Sequence, residues 1–299
     1  MTRPGRPQWL TTLLVVWVAQ LIAIMGMSLV IPFLPLYLVH DLGVDERAAR
    51  TWSGLLAGAN FVCAAVAAPF WGGQADRRGP KLMTLRALLG LALAIWLMGR
   101  ARSPGELLVY RLIQGMLGGF VSAAIALVGS AVPREHVGGA LGFLQTAMTV
   151  GWLVGPLAGG AVSDRLGFRM TFQCTGAMLL VAAALVGLLV REPPRPAPSE
   201  ESGYLANLKL LRHQPALRGV MATVFLSSGA VMMLNPQLPL LVTEMLPGRA
   251  DVAAVVGLVT AAPALTSMVA APLWGRAGDR YGHGRVLPMA LACGSLLHP

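Results

Sequence analysis

The stretch "PFWGGQADRRGPK", Pro69 to Lys81, places one acidic and three basic residues within six positions, directly after a long run without charge. A similar stretch, "PLWGRAGDRYGHG", begins at Pro272, which is 203 residues further along the chain. Six positions are identical in the two copies: Pro, Trp, Gly, Asp, Arg and Gly. A long apolar run that ends twice in the same charged turn indicates a chain made of two similar halves.

The apolar runs are long enough to cross a membrane. The chain is 56% hydrophobic and 12% charged, which is too little polar surface to cover a soluble protein of 299 residues. Its charges lie between runs of the length that a bilayer crossing needs, about 20 helical residues. The sequence therefore predicts an all-α membrane protein. The charge-free runs are Trp9 to Val39, Thr51 to Ala75, Ala87 to Gly99, Leu112 to Pro133, Val137 to Ser163, Met170 to Val190, Gly219 to Thr243, Val252 to Gly275 and Val286 to Pro299.

Two runs need comment. The third is short for a crossing, so we expect it to begin near Leu82 and Arg86 to extend toward the lipid headgroups. The run from Val286 is also short. Aligned on the repeat, Pro299 corresponds to about Trp96, inside the third span of the first half.

The distribution of basic residues predicts the orientation. With the N-terminus in the cytoplasm, 15 Lys and Arg residues fall in inner segments and 7 in outer loops, and Arg111 lies within a span. This is the asymmetry of membrane proteins, whose cytoplasmic loops are rich in Lys and Arg. The net charge of +10 is therefore explained by topology, and no nucleic-acid partner is expected.

The repeat and a polar connector define the expected domains. Residues 1–190 hold six spans and residues 191–218 form a Pro-rich cytoplasmic connector. Residues 219–299 restart the pattern with spans seven, eight and most of nine, so we expect a complete six-span bundle followed by an incomplete C-terminal bundle. A shorter echo of the opening stretch, "GGAVSDRLGFR" from Gly159 to Arg169, falls on the opposite side of the membrane, as three-span units of inverted topology require.

Three motifs in different spans carry a family resemblance. The first runs from Gly72 to Lys81, the second contains Arg111 and Gln114, and the third is G-x-x-x-G-P-x-x-G-G from Gly151 to Gly160. Together they resemble the signatures of the major facilitator superfamily, and specifically of its twelve-span drug:proton antiporters. In the first motif, Gln74 and Pro80 replace the usual Leu and Arg. The resemblance implies a multidrug exporter of a bacterial inner membrane.

The resemblance implies that the first motif and its second copy form a gating latch between the halves. Its candidate residues are Gly72, Asp76, Arg77, Gly79, Lys81, Asp279 and Arg280. We expect Gly72 to allow close helix approach and Gly79 to form a tight turn. The alternative is a charged turn that only anchors the span in the headgroup region.

The second motif implies a proton-coupling role for Arg111 and Gln114. An ionisable group within a span is a functional candidate, and Gln114 lies almost one turn away, within hydrogen-bonding reach. The alternative is an arginine that snorkels to the membrane surface. All 13 Asp and Glu residues lie in loops or at span ends, and the first span offers only Gln20 and Ser28 in place of a mid-membrane carboxylate.

The third motif is associated in the family with antiporters. Gly151, Gly155 and Gly159 recur every four residues and form a smooth stripe that a neighbouring helix can approach closely. Pro156 removes a backbone donor and is expected to bend the helix, and Gly160 completes the motif. A purely structural role is the alternative.

The predicted function is alternating-access export of amphiphilic small molecules, coupled to protons and without a metal or cofactor. A sugar or metabolite carrier of the same superfamily, and a non-transporting truncated remnant, remain as alternatives. An enzyme is not expected, because no span carries paired carboxylates, H-E-x-x-H or a Ser/His/Asp set. The substrate-pocket candidates, each of which can also be ordinary packing, are Gln20, Met27, Gln145, Met148, Met232 and Asn235.

Overall fold

The computed structural model describes residues 8–191, 219, 238–245 and 253–262. Helices dominate these residues and no strand is found among them, so the predicted all-α class is confirmed. The α-helices are α1 (Gln8–His40), α2 (Glu46–Arg78), α3 (Pro80–Met98), α4 (Pro104–Leu117), α5 (Phe120–Ala131), α6 (Val137–Leu189), α7 (Leu238–Met245) and α8 (Ala253–Ala262), with a 3₁₀ turn at Arg134–His136.

Local sequence explains where several helices begin and end. Asp45 caps α2 by accepting a hydrogen bond from the backbone N–H of Ala48 at 3.0 Å, and Ser103 caps α4 in the same way through Glu106 at 3.2 Å. Gly79 separates α2 from α3 with a φ of 90°, a conformation that favours glycine. The tight turn expected at Gly79 is therefore present.

Five segments of the described chain are long and apolar enough to cross a membrane. The longest contains α6, which Gly167 divides with a φ of 77°. Residues 137–166 and 168–189 then measure about 45 and 33 Å as helices, and each is long enough for one crossing. These two parts correspond to the fifth and sixth predicted spans.

The fourth predicted span departs from expectation. The charge-free run 112–133 predicts one uninterrupted helix, but α4 ends at Leu117 and α5 begins at Phe120. Gly119 between them has a φ of 92°. The span therefore contains a break in its middle, which hydropathy does not reveal because both sides are apolar.

The helices pack as a bundle in which α6 lies against α1 and α3, and α2 lies against α4. We call one end of the bundle the N-terminal end, where the Nζ of Lys81 donates to the carbonyl oxygen of Gly187 at 3.0 Å. The other end is the distal end. There Arg169 pairs with Asp41 at 3.3 Å, and the Tyr37 hydroxyl donates to the carbonyl oxygen of Met98 at 3.0 Å.

Helices α7 and α8 lie against the distal end. Phe33 and Leu36 of α1 form a buried apolar cluster with Val242 of α7 and Val256 of α8. The described residues thus include a contact between the first six-span unit and the segment that follows the connector. The connector beyond Arg191 and most of residues 219–299 lie outside the described residues, so the expected domain boundaries stay predictions.

Candidate functional site

Arg111 and Gln114 form a buried polar pair on α4. The Nη1 of Arg111 donates to the Oε1 of Gln114 at 2.7 Å, and the two residues are 2% and 5% exposed. Their spacing of three positions places both side chains on one face of the helix. A side chain that snorkels would be solvated, so this burial favours the functional interpretation of Arg111 over the snorkelling one.

Gly115 follows the pair and brings α4 close to α2. A Cβ placed on Gly115 would lie 2.9 Å from the Cβ of Cys63 and 3.2 Å from the backbone nitrogen of Ala64. Side chains do not approach one another so closely, so this contact between helices requires glycine. The close contact fixes the face of α4 that carries Gln114 and Arg111.

The glycine stripe of the third motif lies against α1. A Cβ placed on Gly151 would lie 2.8 Å from the Cβ of Ile24, and one placed on Gly159 would lie 2.7 Å from the Cγ of Leu29. Between them, Gly155 packs on Met25 and on the hydroxyl of Ser28. That hydroxyl donates to the carbonyl oxygen of Gly151 at 2.9 Å. The polar group of Ser28 therefore joins two helices.

The rest of the motif lies against α8. A Cβ placed on Gly160 would lie 2.9 Å from the Cα of Ala254, and one placed on Gly257 would lie 3.0 Å from the carbonyl carbon of Pro156. One ten-residue motif thus serves two seams, with α1 on one side and α8 on the other. The second seam is missing from the sequence analysis, which considered a single stripe. The signal was Gly160, which is out of register with the other three glycines.

Polar contacts accompany the second seam at the distal end. An Oδ2 atom of Asp164 accepts a hydrogen bond from the backbone N–H of Ala254 in the first turn of α8 at 3.3 Å. A carboxylate is favourable there because the first backbone N–H groups of a helix lack partners within it. Arg50 of α2 pairs with Glu244 of α7 nearby. The repeat pattern identifies the segment around Asp164 but does not indicate this partner.

The first motif is only partly visible. Lys81 is bound to Gly187 within the first six-span unit, and Arg77 is exposed. No described residue lies within 4 Å of a Cβ placed on Gly72, so the close helix approach expected there stays a prediction. The side chain of Asp76, and all of Asp279 and Arg280, lie outside the described residues.

The expected position of Arg86 at the headgroups is wrong. Its guanidinium lies 3.5 Å over the ring of Trp71 and donates to the carbonyl oxygens of Leu117 and Gly118 at 3.3 and 2.8 Å. Those carbonyls belong to the end of α4, where the break frees them for an external donor. A cavity of about 620 Å³ adjoins this group, and its lining includes Ala64, Trp71, Arg86, Gly115, Gly119 and Ser122.

The four described pocket candidates occupy different environments. Gln20 is fully buried and its Nε2 donates to the carbonyl oxygen of Leu144 at 3.2 Å, so it joins α1 to α6. Met27 packs against the main apolar core. Gln145 is exposed and Met148 is half-buried. Met232 and Asn235 lie outside the described residues.

No metal centre is seen in the part of the chain that the structure describes. Groups of three or more His, Cys, Asp and Glu side chains with the geometry to hold an ion are absent from it. The buried polar side chains described above are those of arginine, glutamine and serine, which suit hydrogen bonding to a substrate or between helices.

Comparison with curated proteins finds close relatives over nearly the whole chain. Multidrug resistance protein MdtG of Salmonella arizonae is 37% identical over 291 residues, which cover 97% of this chain and 72% of that protein. MdtG of Citrobacter koseri is 38% identical over 291 residues, with coverage of 97% and 71%. The resemblance to multidrug exporters is therefore confirmed at the level of sequence.

Solved structures share the fold. A bacterial homologue of the human lysosomal transporter Spinster, inward-facing and unoccupied, matches with a TM-score of 0.71 at 18% identity and covers 93% of this chain and 64% of its own. A D-xylose–proton symporter matches with a TM-score of 0.67 at 16% identity, covering 91% and 69%. The family model described as Major Facilitator Superfamily matches residues 16–297. With that match and the MdtG relatives, the chain belongs to the major facilitator superfamily.

Proposed function

We propose that this chain is a secondary transporter that exports drugs and other amphiphilic small molecules from a bacterial cell by alternating access. The relatives at 37% and 38% identity are multidrug resistance proteins. The observation that carries the proposal is the two-sided glycine motif of α6, which packs on α1 through three glycines and on α8 through Gly160 and Pro156. Smooth helix surfaces of this kind let packed segments move against one another.

The N-terminal end of the bundle faces the cytoplasm in this proposal. The 15-to-7 distribution of basic residues supports that orientation. The distal end then faces outward, where α7 and α8 contact α1, α2 and α6. These contacts correspond to a conformation in which the described helices meet at the outer face.

The Arg111–Gln114 pair contributes to proton coupling. An arginine guanidinium stays protonated in proteins, so Arg111 is a fixed positive charge and not the group that gains and loses the proton. Buried inside a span, this charge favours a nearby anion, either a carboxylate of the protein or an acidic group of the substrate. Gln114 holds one of its nitrogens in place at 2.7 Å.

The proposal includes a gating latch formed by the first motif and its second copy. Gly79 and Lys81 fix the turn between α2 and α3 to the end of α6, and Arg77 lies beside this turn at the N-terminal end. A charged turn held in one position suits a contact that forms and breaks during the cycle. The domain division at residues 190 and 218 is likewise proposed from the repeat and the connector.

Efflux from vesicles tests the function. A proton gradient is imposed across the membrane of inside-out vesicles that contain the 299-residue chain, and uptake of ethidium is followed by fluorescence. We expect uptake that collapses when a protonophore is added, and no uptake of radiolabelled xylose. Xylose uptake without ethidium uptake supports the alternative of a sugar carrier. If neither compound is taken up, the result contradicts the proposal that this chain is a transporter.

A further inference from the structure

The break in the fourth span exposes backbone groups inside the bundle. Helix α4 ends at Leu117, α5 begins at Phe120, and Gly119 adopts a positive φ between them. The last carbonyl groups of a helix have no partner within it, and the interior of a bilayer offers no water to replace one. The carbonyl groups at the break therefore need partners from other helices or from the adjoining cavity.

Two side chains from neighbouring helices provide those partners. The Nη1 and Nη2 of Arg86, on α3, donate to the carbonyl oxygens of Leu117 and Gly118 at 3.3 and 2.8 Å. The indole Nε1 of Trp71, on α2, donates to the carbonyl oxygen of Met116 at 2.6 Å. Three successive carbonyls at the end of α4 are thus bound by α2 and α3.

The two donors also support each other. The guanidinium of Arg86 lies 3.5 Å from the centre of the Trp71 ring, which is a cation–π contact. A positive charge at the C-terminal end of a helix is favourable because the helix dipole is negative there. We call this group, Trp71 and Arg86 with the carbonyls of residues 116–118, the α4 cap.

We propose that Arg86 is a positioning residue for transport, acting through the α4 cap on the Arg111–Gln114 pair. Gln114 lies two residues before Met116, so the cap holds the last turns of α4, which carry the pair, against α2 and α3. The inference rests on the proposed coupling role of that pair. It extends that role, because Trp71 directly precedes Gly72 and so joins the latch segment to the end of α4.

The geometry requires arginine at this position. A lysine keeps the charge, but its single nitrogen cannot bind two carbonyls in a fixed fork while lying flat on a ring. Trp71→Phe makes a milder change, since it removes the donor to Met116 but keeps an aromatic ring, smaller than indole, under the guanidinium of Arg86. Arg100→Lys is a matched control, because Arg100 also stacks on a tryptophan, Trp96, at 4.1 Å and follows the same helix.

A labelling experiment tests the cap without reference to transport. Cys63 packs against Gly115 in α4, so displacement of α4 exposes its thiol. In a chain with Cys174→Ser and Cys293→Ser, we expect N-ethylmaleimide to label Cys63 about tenfold faster after Arg86→Lys, the factor that corresponds to loss of one charge-assisted hydrogen bond. Trp71→Phe should give a smaller increase and Arg100→Lys none. Equal labelling in all variants overturns the cap.

A transport experiment tests positioning. At equal membrane abundance, Arg86→Lys should lower the maximal rate of proton-driven ethidium uptake about tenfold, with little change in KM. The pH profile of uptake by Arg86→Lys should shift in the same direction as that of Arg111→Lys. In the variant that carries both substitutions, the fold-loss in uptake rate should be smaller than the product of the two single fold-losses. A different result would limit Arg86 to a structural role and overturn the proposal: Cys63 is labelled faster, but the pH profile of uptake is unchanged and the losses of rate in the two single variants multiply in the double variant. If the parent chain transports nothing, the proposed function fails while the labelling result still decides the cap.

Discussion

Gly257 of α8 lies against the carbonyl group of Pro156 in α6. A Cβ placed on Gly257 would lie 3.0 Å from the Pro156 carbonyl carbon and 3.4 Å from the Cα of Leu157. The backbones of the two helices therefore meet with no side chain between them. Because α8 follows the connector and α6 precedes it, this contact joins the two parts of the chain that alternating access moves apart.

Gly257→Val should reduce transport without loss of the protein from the membrane. The added side chain separates α8 from α6 only in the conformation where they touch, so the variant should favour the opposite conformation. A cost of about 1–3 kcal/mol, typical of overpacking, lowers the population of that conformation by about 5- to 150-fold. Ethidium uptake and membrane abundance measure the two effects. Leu258→Val, at an exposed neighbouring position, is the control.

Gly155→Val should act differently, because Gly155 packs on α1 within the first six-span unit. Its new side chain would collide with Met25 and Ser28. We expect a fall in the thermal stability of the purified protein and in membrane abundance, by an overpacking energy of about 1–3 kcal/mol. Gly142→Val on the same helix has open space around it and should leave both unchanged. Equal stability of the two variants would show that the α1 seam tolerates bulk.

Asp164→Ala should weaken the contact of α8 with the distal end. Loss of a helix-capping carboxylate costs about 0.5–2 kcal/mol, and here the cap lies on a different helix from the one that it caps. Accessibility of a cysteine placed at Val256, which is buried against Phe33 of α1, should therefore increase. Asp45→Ala removes a cap of the same chemistry within α2 and should not change it. An equal response to both substitutions argues against a specific role for Asp164.

The sequence predicted the helical class, the spans and the Arg111–Gln114 pair because these follow from hydropathy and from spacing along one helix. Glycine spacing likewise predicted one close seam, which α1 occupies. Contacts between distant segments were not predictable in this way. The Gly118–Gly119 pair is a signal for a break, but the apolar run continues through it without a change in hydropathy, and nothing indicated that Arg86 turns inward to bind the freed carbonyls. Gly160 and Gly257 also carry no signal of their partners, which are 93 to 101 residues away by chain position.

Arg111→Ala should abolish proton-driven uptake, because it removes the fixed charge, and should also lower the thermal midpoint. The substitution leaves a cavity and removes the donor to the buried Oε1 of Gln114. Arg111→Lys should restore part of the uptake, because it keeps the charge but not the planar fork that Gln114 binds. Arg47→Ala, at an exposed position in α2, is the control for charge alone. Uptake that persists in both Arg111 variants at equal abundance would return this residue to a packing role.

Cross-linking residues 50 and 244 should lock the distal end. Arg50 and Glu244 pair across α2 and α7, yet both side chains are about half exposed, at 46% and 45%, and an exposed pair contributes only about 0–1 kcal/mol. Breaking the pair should therefore change transport little. A covalent link should stop the transport cycle, because one conformation must separate these helices.

The test uses a chain with cysteines at positions 50 and 244 and with Cys63, Cys174 and Cys293 changed to Ser. A flexible bis-methanethiosulfonate links the two cysteines, since a direct disulfide needs Cα atoms within about 7 Å. Ethidium uptake should fall after cross-linking and return when a reductant cleaves the link. A pair at positions 50 and 135, on opposite ends of the bundle, should not cross-link within one chain. Uptake that continues in the fully linked protein would mean that α2 and α7 stay together throughout transport.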